Sequence, residues 1–251
     1  MIITKTEKEI EAMRAGGKIL AGIMAEIGRN IVPGQNTHTI DQLARKLVFD
    51  NGGIPIFEGY GTPPFPSSVC VSINSEVVHG IPRRDRIIQD GDIVKIDIGM
   101  KWGGMITDMA RTFEAGKVSP TARKLVNATR ESLDKGIEEI KAGAKLSQYS
   151  IAVDSYVRSH GFSTVRELVG HGVGRELHED PQILNYKAKG KDIILKEGMT
   201  LALEPMINEG THYIKLMSDG WTYATKDGKL SAHFEDTVVV KKGGCEIITR
   251  I

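Results

Sequence analysis

Cysteine is scarce in this chain. Cys70 and Cys245 are the only two in 251 residues, and no Cys-x-x-Cys spacing occurs. That excludes a disulfide scaffold and a thiolate metal site, and it leaves two reduced thiols in a cytoplasmic protein as the expectation. Long apolar runs are also missing. Nothing reaches the ~20 residues a membrane helix needs, and the opening MIITKTEKEIEAMRAGG has no signal-peptide apolar core. No sign of charge dominates: 33 Lys and Arg face 32 Asp and Glu, for a net charge of +1. Such a balance argues against a specific nucleic-acid partner and against a membrane one. The basic run Arg83, Arg84 and Arg86 admits a local basic patch, ranked below the reading as a solvated loop. No low-complexity stretch and no Pro-, Gly- or Ser-rich linker divides the chain. What remains is ordinary globular composition, 40% hydrophobic and 26% charged.

Helical periodicity organises the first fifty residues. Thr6-x-x-Glu9 is a capping-box pattern. Ile10, Met13, Leu20, Ile23, Met24 and Ile27 follow at helical spacing, and Pro33-Gly34 stops the run. Ile40, Leu43, Ala44, Leu47 and Val48 mark a second helix, closed by Gly52-Gly53. From Ser119 the plan returns, with helices predicted from about Pro120 to Lys141 and from about Ser147 to His160. Laying the two segments together sets Gly34 on Gly143, Ile40 on Tyr149, Val48 on Val157 and Gly52 on Gly161. The next stretches also match. IIQDGDIVKIDIG lies on ILKEGMTLALEPM, with Gly91 on Gly198 and Asp97 on Glu204. MITDMARTF lies on AHFEDTVVV, with Asp108 set on Glu235. The chain therefore reads as a duplicated helix–helix–strand unit whose acids are duplicated too. One domain over 1–251 is expected, with halves of about 1–116 and 117–251.

Asp97 and Asp108 sit inside two strand-like runs, where aspartate is disfavoured. A two-residue turn at Trp102-Gly103 or at Gly103-Gly104 pairs odd with even positions, so both acids share a face. The first register sets them directly opposite, the second diagonally. Val94, Ile96 and Ile98 then point the other way, under the helices. Taken alone, the pair admits solvent exposure, a proton-sharing dyad or a cation between them. Glu204 in MTLALEPMI, Glu235 in AHFEDTVVV and His171 between two glycines shift that balance. Four carboxylates and one imidazole suit divalent manganese, iron, cobalt or zinc. So many carboxylates exceed the usual single zinc site and suit two bridged ions. Single-metal and metal-free readings rank lower.

His79 ends the run EVVHGIP, and His178 follows His171 in RELHEDP. His233 is two residues before Glu235, on the same face by strand alternation, which allows it an outer contact to the site. His38, His160 and His212 read as ordinary structural histidines. GHGVG fits neither nucleotide-binding pattern, and no G-x-S-x-G supports a serine nucleophile.

Together, Asp97, Asp108, His171, Glu204 and Glu235 resemble the dinuclear site of the type I methionine aminopeptidases. VVHGIP, GDIVKIDIG, GHGVGRELHEDPQI, GMTLALEPM and AHFEDT carry the likeness across essentially the whole chain. It implies an α+β "pita-bread" fold, a curved antiparallel sheet covered by two helix pairs, with the metal site at its centre. It implies two divalent ions, with a monovalent cation nearby, and removal of the initiator methionine when the second residue is small. Asp97 would hold one ion, His171 and Glu204 the other, with Asp108 and Glu235 bridging. Glu204 would take up the proton, His178 would steady the scissile carbonyl, and His79 would contact the peptide on the leaving side. Phe65, Cys70, Leu177 and Trp221 would form the methionine pocket. The implied partners are N-terminal Met peptides and nascent chains met at the ribosome, and the implied state is a monomer. Leu168 and Leu177 stand where the family usually has an aromatic (or, at 168, Met), and PPFPSSV is a proline-rich pocket loop. These departures bear on pocket shape, not on metal chemistry.

Overall fold

Thr6 begins the first helix as its pattern predicts. Its hydroxyl accepts from the Glu9 N–H, and the Glu9 carboxylate accepts from the Thr6 N–H at 2.8 Å. Those two bonds satisfy donors that a first turn leaves free. The computed structural model describes residues 2–188 and 192–251. It has helices α1 (Glu7–Arg29), α2 (Thr37–Asp50), α3 (Pro120–Ile137) and α4 (Leu146–Ser159). The third helix is shorter than the pattern to Lys141 suggests. Beyond it Ile140 turns into the core, and the backbone amides of Ala142 and Gly143 bond Lys241 and Leu195 instead. Sheet-edge hydrogen bonds thus replace helical ones there.

The main sheet is antiparallel throughout. Its path runs Ile54–Pro55, Ile93–Trp102, Met105–Glu114, Glu235–Lys241, Thr200–Leu203, Gly170–Gly172, Glu179–Ile183. Cys70–Ile73 and Gly244–Ile247 also pair with it. Val94, Ile96 and Ile98 are fully buried beneath Leu20, Met24, Ile40 and Val48 of α1 and α2. Leu201, Leu203, Val238 and Val240 pack likewise under Leu125, Leu133, Tyr149 and Val153 of α3 and α4. Each such aliphatic side chain contributes about 1.5–3 kcal/mol by leaving water. The acids alternate with them, so packing on the helix side turns the acids to the opposite face.

Equivalent hydrogen bonds display the repeat. Gly34 N–H donates to Ile88 at 2.8 Å and Gly143 N–H to Leu195 at 2.9 Å. Gly91 N–H donates to Ala115 and Gly198 N–H to Val240. All four glycines have φ between 82° and 94°, the left-handed region that glycine enters at low cost. One detail differs from the sequence match. Asp108 pairs with Gly99, and the equivalent pair in the second half is His233 with Met206. Asp97 pairs with Ala110, and Glu235 is the register equivalent of that alanine. The counterpart of Asp108 is therefore His233. A two-residue offset keeps the same face of the strand, so both Asp108 and Glu235 still reach the site.

A small sheet of Glu76–Val78, Tyr223–Thr225 and Ile214–Leu216 brings His79 near Trp221. Arg86 corrects the reading of its loop. Arg83 and Arg84 are exposed, but Arg86 is half-buried and donates to the Val71 and Ile81 carbonyls and to Glu76. It braces the loop rather than facing solvent.

Candidate metal centre

The hairpin takes the second of its two registers. Trp102 pairs with Met105, and Gly103 and Gly104 form the turn with φ of 56° and 85°. Positive φ at both central residues is the condition of a type I′ turn, which matches strand twist. Asp97 and Asp108 are therefore diagonal, on one face, and both buried. Thr237 ties the halves together here: its hydroxyl donates to the Asp108 carbonyl and accepts the Asp108 N–H.

His171 lies on the strand Gly170–Gly172, opposite Ala202. Both flanking glycines are required. A Cβ on Gly170 would stand 2.5 Å from the Ala202 oxygen, and one on Gly172 would stand 2.3 Å from the Asp180 oxygen. Glu204 follows the strand Thr200–Leu203. Its carbonyl accepts from the Asn185 amide at 3.1 Å, and Asn185 accepts from the buried Tyr149 hydroxyl at 2.8 Å. Helix α4 thereby fixes the backbone at Glu204.

These residues converge. Ligand atoms of Asp108, His171 and Glu235 lie within 4.8 Å of one another. Glu204 Oε1 is 3.4 Å from His171 Nε2, and Asp97 lines the same cavity. Burial, with mutual repulsion, raises the acids: Asp97, Glu204 and Glu235 well above the carboxylate range, and Asp108, by burial, to about 7. Burial lowers His171 to about 4, so that ring is neutral. Its Nδ1–H donates to the Gly172 carbonyl at 2.8 Å, which leaves a lone pair on Nε2. A lone pair facing a carboxylate oxygen at that distance is relieved either by a proton on that oxygen or by a metal ion between the two. Asp97 Oδ1, Asp108 Oδ1 and Glu235 Oε1 are buried with no hydrogen-bond partner among the described residues. Buried acceptors left bare are costly, and a metal would satisfy them. The donor set of oxygens and one imidazole nitrogen fits divalent metal ions.

Beside the acids the cavity is apolar. Phe65, Cys70, Leu177 and Trp221 line it, together with His79 and His178. Phe65 and Trp221 meet edge to face with centroids 5.3 Å apart. Cys70 pairs with Asp97 across the sheet, and burial pushes its thiol well up, so it acts as an apolar wall. Phe57 and Tyr60 also line the cavity and were not foreseen. Tyr60 hydroxyl lies 2.6 Å from His178 Nδ1. Its one sequence cue was an aromatic between Gly59 and Gly61, in a loop. The segment bearing Leu177 and His178 is anchored through Glu179. That carboxylate takes the buried Lys5 ammonium on one oxygen and the Arg175 and Glu176 amides on the other. His79 has φ of 58° and a ring that burial lowers to about 4. His38, His160 and His212 lie outside the cavity lining.

A buried carboxylate cage beside an apolar slot is the architecture of a metal-dependent hydrolase. The chain belongs to metallopeptidase family M24, whose model matches residues 11–242. Within that family its relatives are methionine aminopeptidases. It is 47% identical to methionine aminopeptidase 1 of Bacillus subtilis over 251 residues, with both chains fully covered. Its structure is similar to the methionine aminopeptidase of Thermotoga maritima, with a TM-score of 0.97, 42% identity and full coverage of both chains. Prolidase from Pyrococcus furiosus shares the fold at a TM-score of 0.78 and 24% identity, over 99% of this chain and 66% of that one. The pita-bread architecture is thus common to the wider group, and the closer likeness is to the methionine enzymes.

Proposed function

We propose that this chain removes the N-terminal methionine from peptides and nascent proteins whose second residue is small. The observation that carries the reading is the apolar slot of Phe65, Cys70, Leu177 and Trp221 opening directly onto the acidic cage. An unbranched thioether side chain fills such a slot well. The cage would hold two divalent ions, of cobalt, manganese, iron or zinc. Asp97 would serve one, His171 and Glu204 the other, and Asp108 and Glu235 both. Bound there, such ions supply an activated water at neutral pH.

The chain's own groups account for the rest. Glu204, raised by burial, is suited to take a proton from the attacking water and pass it to the leaving amine. A Tyr60 hydroxyl that donates to His178 Nδ1 leaves the proton of that neutral ring on Nε2. His178 Nε2–H would then donate to the scissile carbonyl as negative charge develops there. His79, neutral and beside Trp221, would contact the peptide on the leaving side. A second groove shares His79, His171, His178 and Glu204 with the first and adds Val78, Leu168 and Met206. It also carries Glu179, Asp180 and Gln182, and it would take the residue after methionine, whose small size the resemblance implies.

The whole of 1–251 would act as one catalytic unit, with the halves 1–116 and 117–251 contributing ligands on each side. Reduced thiols at Cys70 and Cys245 support a cytoplasmic setting, and no helix among the described residues is long and apolar enough to cross a membrane. The resemblance adds a monovalent cation near the site, a monomer, and contact with nascent chains at the ribosome.

The test is a peptide panel run with each metal. Met-Ala-Ser should release free methionine with manganese, iron or cobalt, lose that activity to a chelator, and regain it on metal return. Intact Met-Ala-Ser alongside cleaved Met-Pro or Gly-Pro would overturn the reading in favour of a prolidase.

A further inference from the structure

Glu204 meets two imidazoles that are not equivalent. Its Oε1 is 3.4 Å from His171 Nε2, and its Oε2 is 3.5 Å from His233 Nε2. His171 has committed its only proton to Gly172, so its Nε2 presents a lone pair. His233 is 1% exposed, and neither of its ring nitrogens has a hydrogen-bond partner among the described residues. A neutral imidazole always carries one N–H, and the carboxylate beside His233 is the acceptor within reach.

The backbone keeps that ring in place. His233 N–H donates to the Thr112 hydroxyl at 3.0 Å, and the same hydroxyl donates back to the His233 carbonyl at 2.7 Å. The strand pairing of His233 with Met206 repeats that of Asp108 with Gly99. At one register position the first half of the molecule places an acid of the cage, and the second half places an imidazole. The two halves therefore play different parts at equivalent points.

We infer that His233 is a positioning residue for Glu204, donating its Nε2–H to Glu204 Oε2 and so leaving Oε1 for the side that His171 faces. The terminal torsion of a glutamate is broad and two-fold. Without a donor on one oxygen, the two could exchange roles. With it, a single oxygen is held toward the cage. The inference rests on Glu204 serving there as ligand and proton acceptor.

Three variants and one spectrum test it. His233→Gln keeps an N–H donor near the Nε2 position, whereas His233→Leu and His233→Met remove it. Manganese affinity of chelator-stripped protein by calorimetry, and kcat for Met-Ala-Ser, are read together with the unfolding midpoint. The apolar variants should lose about 10–100-fold in manganese affinity or kcat, with KM little changed, while His233→Gln recovers most of the loss. Apolar variants within about twofold of the parent in both, or His233→Gln as impaired as they are, would overturn it. Nitrogen-15 spectra of the zinc-loaded parent should show the Nε2–H tautomer at His233, and the Nδ1–H tautomer would equally overturn it. These readouts separate the two claims. A parent that binds metal but never releases methionine defeats the proposed function, while affinity and tautomer still decide the role of His233.

Discussion

Under the proposed function Glu204 has two tasks, metal ligand and proton acceptor. Its carboxylate is largely buried and faces other acids, which holds its pKa well above the usual range. Its backbone is tied through Asn185 to Tyr149. Nearby rings stay neutral because burial opposes their charge: His171 and His79 titrate at about 4, and His233 at about 3. Among the described residues that line the cavity there is no Lys or Arg, so the acids are balanced by their own protons or by metal. Replacing Glu204 by Gln preserves size but removes the proton acceptor. With manganese saturating, kcat for Met-Ala-Ser should fall about 10²–10⁴-fold, the usual worth of a general base. A Glu204→Gln enzyme that binds manganese normally and keeps more than about a tenth of kcat would remove Glu204 from proton transfer.

At the level of elements, the site depends on backbones approaching closely. The strand Gly170–Gly172 fits between its neighbours only because both ends lack a Cβ. Gly172→Ala would set a methyl 2.3 Å from the Asp180 oxygen, which is backbone and has little freedom to move. The strand must shift, and His171 with it. Manganese affinity should drop at least about tenfold, since ligand geometry within ~0.5 Å governs such sites. Unchanged affinity in a calorimetric titration would show that the strand accommodates the methyl. Much of this was legible beforehand. Capping signals, helical spacing and the paired glycines foretold four helices in two pairs. Hairpin parity foretold one face for Asp97 and Asp108. What escaped was tertiary: Tyr60 reaches His178 from a loop 118 residues away. Lys5 reaches Glu179 across 174 residues, and no local pattern encodes either contact. The match of Asp108 to Glu235 was two residues off, because side-chain identity drew the alignment where hydrogen-bond register did not.

Taken whole, the molecule folds around acids that repel one another, so its stability without metal should depend on pH in an unusual direction. Burial raises Asp108 from 3.8 to about 7. An acid raised in this way keeps its proton in the folded chain after the unfolded chain has lost it. Its contribution to stability is fully present below about pH 4 and is lost as pH rises toward 7. The other three cage acids shift in the same direction, reinforcing the loss. Metal reverses it by accepting the ionised carboxylates, and the displaced protons leave. His171 adds no proton to that count, since burial already keeps it neutral above about pH 4. The gain in unfolding midpoint from saturating manganese should therefore be larger at pH 7 than at pH 5. Calorimetry at pH 6.5 in buffers of different ionisation enthalpy should find protons released on binding. An equal midpoint gain at both pH values, with no proton release, would mean that the cage acids are already ionised in the metal-free fold.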